Sequence, residues 1–318
     1  MASIVSRKVK GNIYYYLEQN IRIGRKFKKF SEYLGDKKPS KKNITNYEKN
    51  IQKQIDDYYS KELIKPDTEF IDVSTAKSLE RIKQETKDFI EKLSTKEKKQ
   101  WLEAERDKFI TNTNAIEGST LTLNETKKIL YKKAKIGSRK EQLEVLNMEK
   151  CLERYDKYLK INKEIDEMLI LQLHYILLNE VPNYDKYKGI WRPVDVEIRA
   201  SKFEFPHFKY VPSLMKKLLE QYKEQSESVH SVELAAKLHC TFTTIHPFAD
   251  GNGRIARLLM NYVLQKNGYP FTNTPVEKRN EYFQTQEEGH KQNYKNFTDF
   301  IIKQIKKNYK QLKITESK

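Results

Sequence analysis

Apolar positions along this 318-residue chain keep two different periods. Between residues 3 and 34 they alternate: IVSRKVK and NIYYYLEQNIRI, separated by Gly11-Asn12, are followed after Gly24 by RKFKKFSEYL. That pattern predicts a small three-stranded antiparallel sheet, which needs something to pack against. DKKPSKKN, residues 36 to 43, breaks the pattern and reads as a linker. From there the period is helical, over residues 43–62, 75–94 and a stretch ending at Gly118 in which Trp101, Leu102, Ala104, Phe109 and Ile110 share a face. Helices over 124–134, 140–162 and 164–179 follow. The segment 184–214 returns to alternation across VDVEI and FKYV and predicts a hairpin between helices. Helical spacing resumes over 213–225, 230–244 and 254–267, where Gly268 and Pro270 stop it.

The expected fold is therefore mainly α, with a β-hairpin and a small N-terminal antiparallel sheet as an appendage. A content of 37% hydrophobic and 33% charged residues, with 20 Tyr and 14 Phe, is that of a soluble globular protein. No apolar run approaches the roughly 18 residues that cross a bilayer, and MASIVSRKVKGNIYYY has no apolar signal-type segment. No membrane contact and a cytoplasmic location are expected. Cys151 and Cys240 have neither disulfide-framework nor metal-ligand spacing and are expected to be buried thiols. The net charge is +17, and residues 1–60 hold +8 of it, fourteen basic against six acidic side chains. Charge so placed suits nucleic acid or another polyanion, with residues 1–75 as the contact, or else forms a solvated face.

The most informative stretch is IHPFADGNGRIAR, residues 245–257. SVELAAKLHCTFTTI brings Val232, Ala235, Ala236, Leu238, Phe242 and Ile245 onto one face and ends at His246. RIARLLMNYVLQKNG starts the next helix, so ADGNG is a short loop leading into a helix N-terminus. Unpaired N–H groups and the helix dipole favour anions there. Gly251 and Gly253 let the backbone approach a ligand. Arg254 and Arg257, three apart, can grip phosphate oxygens, and Asp250 offers the hard oxygen that Mg²⁺ takes beside phosphates. His246, with a pKa near neutrality, can accept a proton from an incoming hydroxyl.

This stretch resembles the Fic signature HxFx(D/E)GNGRxxR at each specified position: His246, Phe248, Asp250, Gly251, Asn252, Gly253, Arg254 and Arg257. The resemblance implies an all-α core that transfers AMP from ATP to a hydroxyl of a protein. It implies His246 as general base, Asp250 as the Mg²⁺ ligand, and Gly251, Asn252 and Gly253 as the phosphate cradle. Arg254 would contact the phosphates, Arg257 the γ-phosphate, and Phe248 would be buried to anchor the loop. GIWRPVDVEIRASKFEFPHFKYVP is similar to the family's flap, with Gly189 and Arg192 at its start and Val196, Glu197, Ile198 and Arg199 nearest the nucleotide. Tyr282 resembles the tyrosine that borders the adenine, or is an ordinary core tyrosine.

TNAIEG, residues 113–118, is similar to the family's inhibitory motif (S/T)xxxE(G/N). The resemblance implies that Glu117, with Thr113 on the same helix face, pairs with Arg257 and takes the place of the γ-phosphate. The boundaries so implied are a basic sheet over 1–36, linker and helices over 37–97, and a core over 98–310. The core includes the inhibitory helix (about 98–118) and the flap (about 189–212). The expected partners are ATP and a protein substrate, possibly the chain itself, and self-association is left open. Two other functions fit the same residues. The pocket could remove AMP from proteins, with Glu117 orienting water, or the chain could regulate through nucleic acid bound at its N-terminal sheet.

Overall fold

A computed structural model of the chain describes residues 2–23, 26–40, 44–63, 70–197 and 203–316. The N-terminal strands β1 (Ser3–Val9), β2 (Asn12–Ile23) and β3 (Lys26–Gly35) form an antiparallel sheet in the order β1-β2-β3. Its first turn is centred on Lys10 and Gly11, both at positive φ (48° and 85°), as a two-residue hairpin with right-handed twist requires. The turn thus lies one residue earlier than the Gly11-Asn12 expected from the sequence, and Asn12 already pairs with Val9.

One face of this sheet is docked. Leu17 and Phe30 are buried, and Gln19 donates a hydrogen bond to the Tyr210 hydroxyl at 2.9 Å. Glu32, on the same face, accepts from Asn50 and Gln54 at 3.0 and 2.6 Å. Both amides belong to helix α1 (Thr45–Leu63), so α1 supplies the surface that three short strands need.

The helices after α1 are α2 (Val73–Lys92), α3 (Thr95–Ile116), α4 (Leu123–Lys132), α5 (Arg139–Lys160) and α6 (Glu167–Leu177). Then come α7 (Val211–Gln225), α8 (Ser231–Ile245), α9 (Asn252–Lys266), α10 (Arg279–His290) and α11 (Lys295–Glu316). Capping boxes start three of them: Ser94 with Glu97, Thr122 with Glu125, and Ser138 with Glu141. Each satisfies two orphan N–H donors reciprocally. The centre of the bundle is α8, buried at every position from Val232 to Ile245. It buries Glu233, Lys237 and His239 along with its apolar side chains, and α7, α9, α10 and α11 pack around it. The fold is mainly α with one small antiparallel sheet.

Three expectations change. The alternation read across VDVEI and FKYV forms no ladder among the described residues: 191–197 and 203–207 carry no strand, and Phe208–Tyr210 is a 3-10 turn. Pro193 and Pro206 have no N–H to give a ladder. The His207 ring accepts from the Lys209 N–H and so caps a turn. Ile198 and Arg199 lie outside the described residues. In α3 the proposed apolar face is incomplete, since Leu102 is exposed while Phe109 and Ile110 are buried. Finally, α10 and α11 extend the helical part beyond Pro270 and bury Phe297, Phe300, Ile301 and Ile305 in the same core. Cys151 and Cys240 are free and buried, as their spacing predicts. Among the described residues no helix is long and apolar enough to cross a membrane.

Because Leu17 anchors the docked face, Leu17→Ala should destabilise the sheet by about 2–5 kcal/mol, the usual cost of such a truncation. Hydrogen exchange should show faster exchange in β2 and β3 with α8 unaffected. Unchanged protection in β2 would mean that the sheet does not depend on this contact.

Candidate functional site

The site forms where α8 ends and α9 begins. His246 closes α8 in the left-handed region (φ 52°, ψ 60°), its N–H donating to the Phe242 carbonyl at 2.9 Å. Such a backbone costs a non-glycine residue on the order of 1–3 kcal/mol and persists only when the surroundings enforce it. Those surroundings are specific. Phe248 is fully buried, stacked on His174 at 3.6 Å between centroids and 10° between planes, with Trp191 at 5.1 Å. Asn252 fixes the loop from within: its Oδ1 accepts from the Phe248 N–H at 2.9 Å and its Nδ2 donates to the Phe248 carbonyl at 2.8 Å.

Two further side chains hold the loop. Buried Arg192 donates from Nε to the His246 carbonyl at 2.8 Å, and its N–H donates to the Pro247 carbonyl at 2.8 Å. Its Nη1 and Nη2 reach the carbonyls of Val194 and Pro206, so one guanidinium joins both arms of the 191–207 segment to the loop. His174 accepts the Gly189 N–H on Nδ1 at 3.0 Å, which leaves Nε2 as the protonated nitrogen donating to the Asp250 carbonyl at 3.1 Å. Burial pushes the His174 pKa down to about 4, so the ring stays neutral and keeps that tautomer.

The His246 imidazole is tied down through one ring nitrogen. Its Nδ1 faces the Thr243 carbonyl at 3.3 Å and must carry the proton, which leaves the Nε2 lone pair free. Burial lowers its pKa to about 4, against the near-neutral value expected from the sequence, with the Thr243 contact opposing the shift. The Phe205 ring lies 4.5 Å from the imidazole, and its neighbour Phe203 stacks on His290 at 4.9 Å. Burial lowers His290 to about 3 and His239 well below the usual range. The cations of the site are therefore its arginines, and its imidazoles are neutral.

Gly251, at φ 80°, turns the chain into α9. Asp250 is half-buried; its Oδ1 accepts the Gly251 N–H at 2.7 Å and its Oδ2 lies 3.3 Å from Arg254 Nη2. Tyr184 also bonds its carboxylate, and that charge is the first cause of a raised Tyr184 pKa. Among the described residues no three His, Cys, Asp or Glu side chains gather to hold a metal. A single carboxylate beside a phosphate-binding helix N-terminus fits Mg²⁺ only when phosphate oxygens and water complete its shell, which is how that ion is commonly held. Buried Arg254 is shared with Glu144 of α5, whose Oε1 accepts from Nη1 at 2.8 Å.

Arg257, only 1% exposed, is the most heavily committed side chain. Its Nε donates to Thr113 Oγ1 at 2.8 Å and its Nη1 to the Tyr282 hydroxyl at 3.1 Å. Its Nη2 donates both to the Thr113 carbonyl at 2.9 Å and to Glu117 Oε1 at 2.7 Å. Glu117 follows directly on α3, where Arg279 Nε caps the Ile116 carbonyl at 2.8 Å. The same carboxylate lies against the first turn of α9. A Cβ added at Gly253 would come within 2.5 Å of Glu117 Oε1 and 3.1 Å of Arg257 Nη1, so only glycine leaves it room. An anion thus already sits on the helix N-terminus and on the arginine fork.

The structure brings together His246, Asp250, Gly251, Asn252, Gly253, Arg254, Arg257, Thr113 and Glu117. It places three other candidates less directly. Tyr282 is 1% exposed among Phe283, Phe297 and Phe300 and meets the site through Arg257. Val196 is half-buried and Glu197 exposed. Glu144, His174, Tyr184 and Arg279 were missed: each stands singly in its helix or loop, with no local motif. A separate cavity of about 650 Å³ lies between α2, α3 and α11, away from the loop, lined by Phe89, Trp101, Phe271 and Tyr309.

Comparison with known proteins places this geometry. Residues 164–264 match the Fic/DOC family. Over 181 residues, 55% of its length, the chain is 33% identical to protein adenylyltransferase fic-1 of Caenorhabditis elegans and covers 35% of it. Over the same share it is 32% identical to protein adenylyltransferase Fic of Drosophila grimshawi, covering 36% of that protein. The chain thus spans about a third of the curated relatives it matches. A solved structure of C. elegans Fic-1 superposes with a TM-score of 0.68 at 23% identity, over 88% of this chain and 79% of that one. A Fic domain containing signaling protein from Bacteroides thetaiotaomicron gives 0.66 at 24% identity, over 75% and 95%. These two likenesses concern the fold. Residues 164–264 form a Fic domain.

Proposed function

We propose that this chain transfers AMP from Mg-ATP to a hydroxyl of a protein side chain, and that Glu117 holds it in check. The observation that carries the reading is the Glu117 carboxylate at 2.7 Å from Arg257, resting on the phosphate-accepting turn of α9. Carboxylate and γ-phosphate compete for one guanidinium fork. We take the catalytic unit to be residues 98–310, with the sheet over 1–36 and the connecting segment 37–97 outside it, and the site of action to be the cytoplasm.

In the reaction, the target oxygen attacks the α-phosphorus of ATP, the bond to the bridging oxygen of the β-phosphate breaks, and pyrophosphate leaves. The hydroxyl proton passes to Nε2 of His246, the nitrogen left free by the Thr243 contact. The α9 N-terminus with Gly251, Asn252 and Gly253 cradles phosphate oxygens, and Arg254 holds them from the side opposite Glu144. Asp250 would hold Mg²⁺, which when bound neutralises phosphate charge. Residues 191–197 and 203–207, joined to the loop by Arg192, would face the nucleotide, with Phe205 shielding His246 from water. Support from relatives is that proteins one third identical over this region are named protein adenylyltransferases.

Glu117→Gly is the direct test. It removes one of the four hydrogen bonds on Arg257 and leaves those to Thr113 and Tyr282, so the fold should survive. Labelling of protein from α-labelled ATP should rise on the order of a hundredfold, because the nucleotide can then sit in line for attack. Adding Arg257→Ala should abolish the gain. Equal rates for Glu117→Gly and wild type would exclude the brake. If Glu117→Gly instead lost the ability to remove AMP from a modified protein, the carboxylate would be orienting water in a hydrolase.

A pH profile tests the base. His246 accepts protons only when neutral, and that form is lost as pH falls through its pKa of about 4. In the Glu117→Gly background, kcat/KM, which reports the free enzyme, should show no acid limb between pH 5 and 8. A limb centred near the ordinary imidazole value of about 6.5 would contradict the assignment. His246→Ala should lower the rate by about 10² to 10⁴ while leaving ATP affinity nearly unchanged; wild-type labelling by this variant would remove His246 from the mechanism.

A further inference from the structure

The undocked face of the N-terminal sheet has a composition that its fold does not require. Strand pairing fixes which side chains share it. Leu17, Gln19, Phe30 and Glu32 point into the protein, so Val5, Arg7, Val9, Tyr14, Tyr16, Glu18, Phe27, Lys29 and Tyr33 stand on the other side. Phe27 is 73% exposed, Tyr33 52% and Val9 48%. Tyr33 lies 6.2 Å from Tyr14 and 5.4 Å from Tyr16, a cluster of three rings across two strands. The Arg7 guanidinium covers the Tyr16 ring at 4.3 Å. Arg7 and Lys29 both pair with Glu18, so this trio keeps a net positive charge. Lys10 stands exposed in the turn at the rim.

A merely solvated strand face needs no aromatic rings, and exposed apolar clusters of this kind mark contact surfaces. The surplus of positive charge in this part of the chain opposes pairing with a second copy of the same face and favours a polyanion. Among polyanions, only one with flat apolar rings along its backbone uses the tyrosines and Phe27 together with the cations. We propose that the outer face of β1, β2 and β3 binds single-stranded nucleic acid, its bases stacking on Phe27, Tyr33 and Tyr14 and its phosphates meeting Arg7, Lys29 and Lys10. Aromatic platforms with basic side chains between them bind single strands with little sequence preference. A duplex satisfies the cations but keeps its bases stacked on one another, out of reach of the rings. The docked face is unaffected, because α1 covers it, so the platform and the Fic loop can be occupied together.

The test uses the full-length chain and labelled oligonucleotides of about 16 nucleotides, an upper site size for a comparable platform, followed by fluorescence anisotropy at several salt concentrations. The single strand should bind about tenfold or more tighter than a duplex of equal length. Phe27→Ala with Tyr33→Ala should weaken it roughly tenfold or more without changing the salt slope. Both positions are exposed, so circular dichroism should match wild type. Arg7→Ala with Lys29→Ala should instead reduce the dependence of log affinity on log salt by about one to two. Equal affinity for duplex and single strand, or full binding by the aromatic double variant, would overturn the platform. So would displacement of the oligonucleotide by polyglutamate or by phosphatidylserine vesicles at equal charge.

Discussion

A buried guanidinium with nowhere to go but its partners organises this molecule. Arg257 enters the core from the second turn of α9, between α3 and α10, and a charge taken out of water at that depth is tolerable only when it is paired and hydrogen-bonded. Four hydrogen bonds engage three of its nitrogens, and three of them come from α3 and the residue that follows it: the Thr113 hydroxyl, the Thr113 carbonyl and the Glu117 carboxylate. The fourth is the Tyr282 hydroxyl, which also meets His239 Nε2 at 2.9 Å. The contact therefore fixes where α3 ends, how α10 packs, and what covers the α9 N-terminus. Three of its acceptors serve structure whatever happens to Glu117. The carboxylate, one third exposed, is the member that can leave.

The imidazoles around the loop hold a geometry without adding charge. His174 and His246 are pressed to low pKa by burial and present one lone pair each, toward the Gly189 N–H and toward the open site. Arg192 spends its donors on carbonyls of the loop and of the 191–207 segment. On the proposed reading this division suits phosphoryl chemistry, in which positioning and electrostatic stabilisation carry most of the catalysis. Fixed cations meet the phosphates, and a neutral imidazole meets the proton.

Much of this could be read from the sequence because the loop is local. His246 to Arg257 fall within twelve residues, and the two flanking helices are strongly periodic, so loop, helix start and chemistry follow from neighbouring positions. The ends of α8 and α9 came within two residues. Where the sequence reading departed from the structure, distant residues decide the outcome. The alternation of VDVEI and FKYV resembles strands, but Arg192 and the two prolines replace a ladder with side-chain ties. Glu144 reaches Arg254 across 110 residues, and Arg279 reaches Ile116 across 163; neither carries a local signature. His174 stands on an apolar helix face, and only the fold stacks it on Phe248, 74 residues away. Tyr282 fits an adenine border and a core position equally well by sequence, and its hydroxyl on Arg257 carries no local signature.

The central claim is that one carboxylate and one phosphate compete for Arg257, and the γ-phosphate alone distinguishes ATP from ADP. Calorimetric titration of wild type and Glu117→Gly with Mg-ATP and with Mg-ADP isolates that phosphate. In wild type the two nucleotides should bind nearly alike, because Glu117 already fills the γ-position; in Glu117→Gly, ATP should gain over ADP by about tenfold or more, the worth of a charge-assisted bidentate contact. The same ratio of ATP to ADP affinity in both proteins would show that Glu117 does not stand where the γ-phosphate binds, and the account would fail.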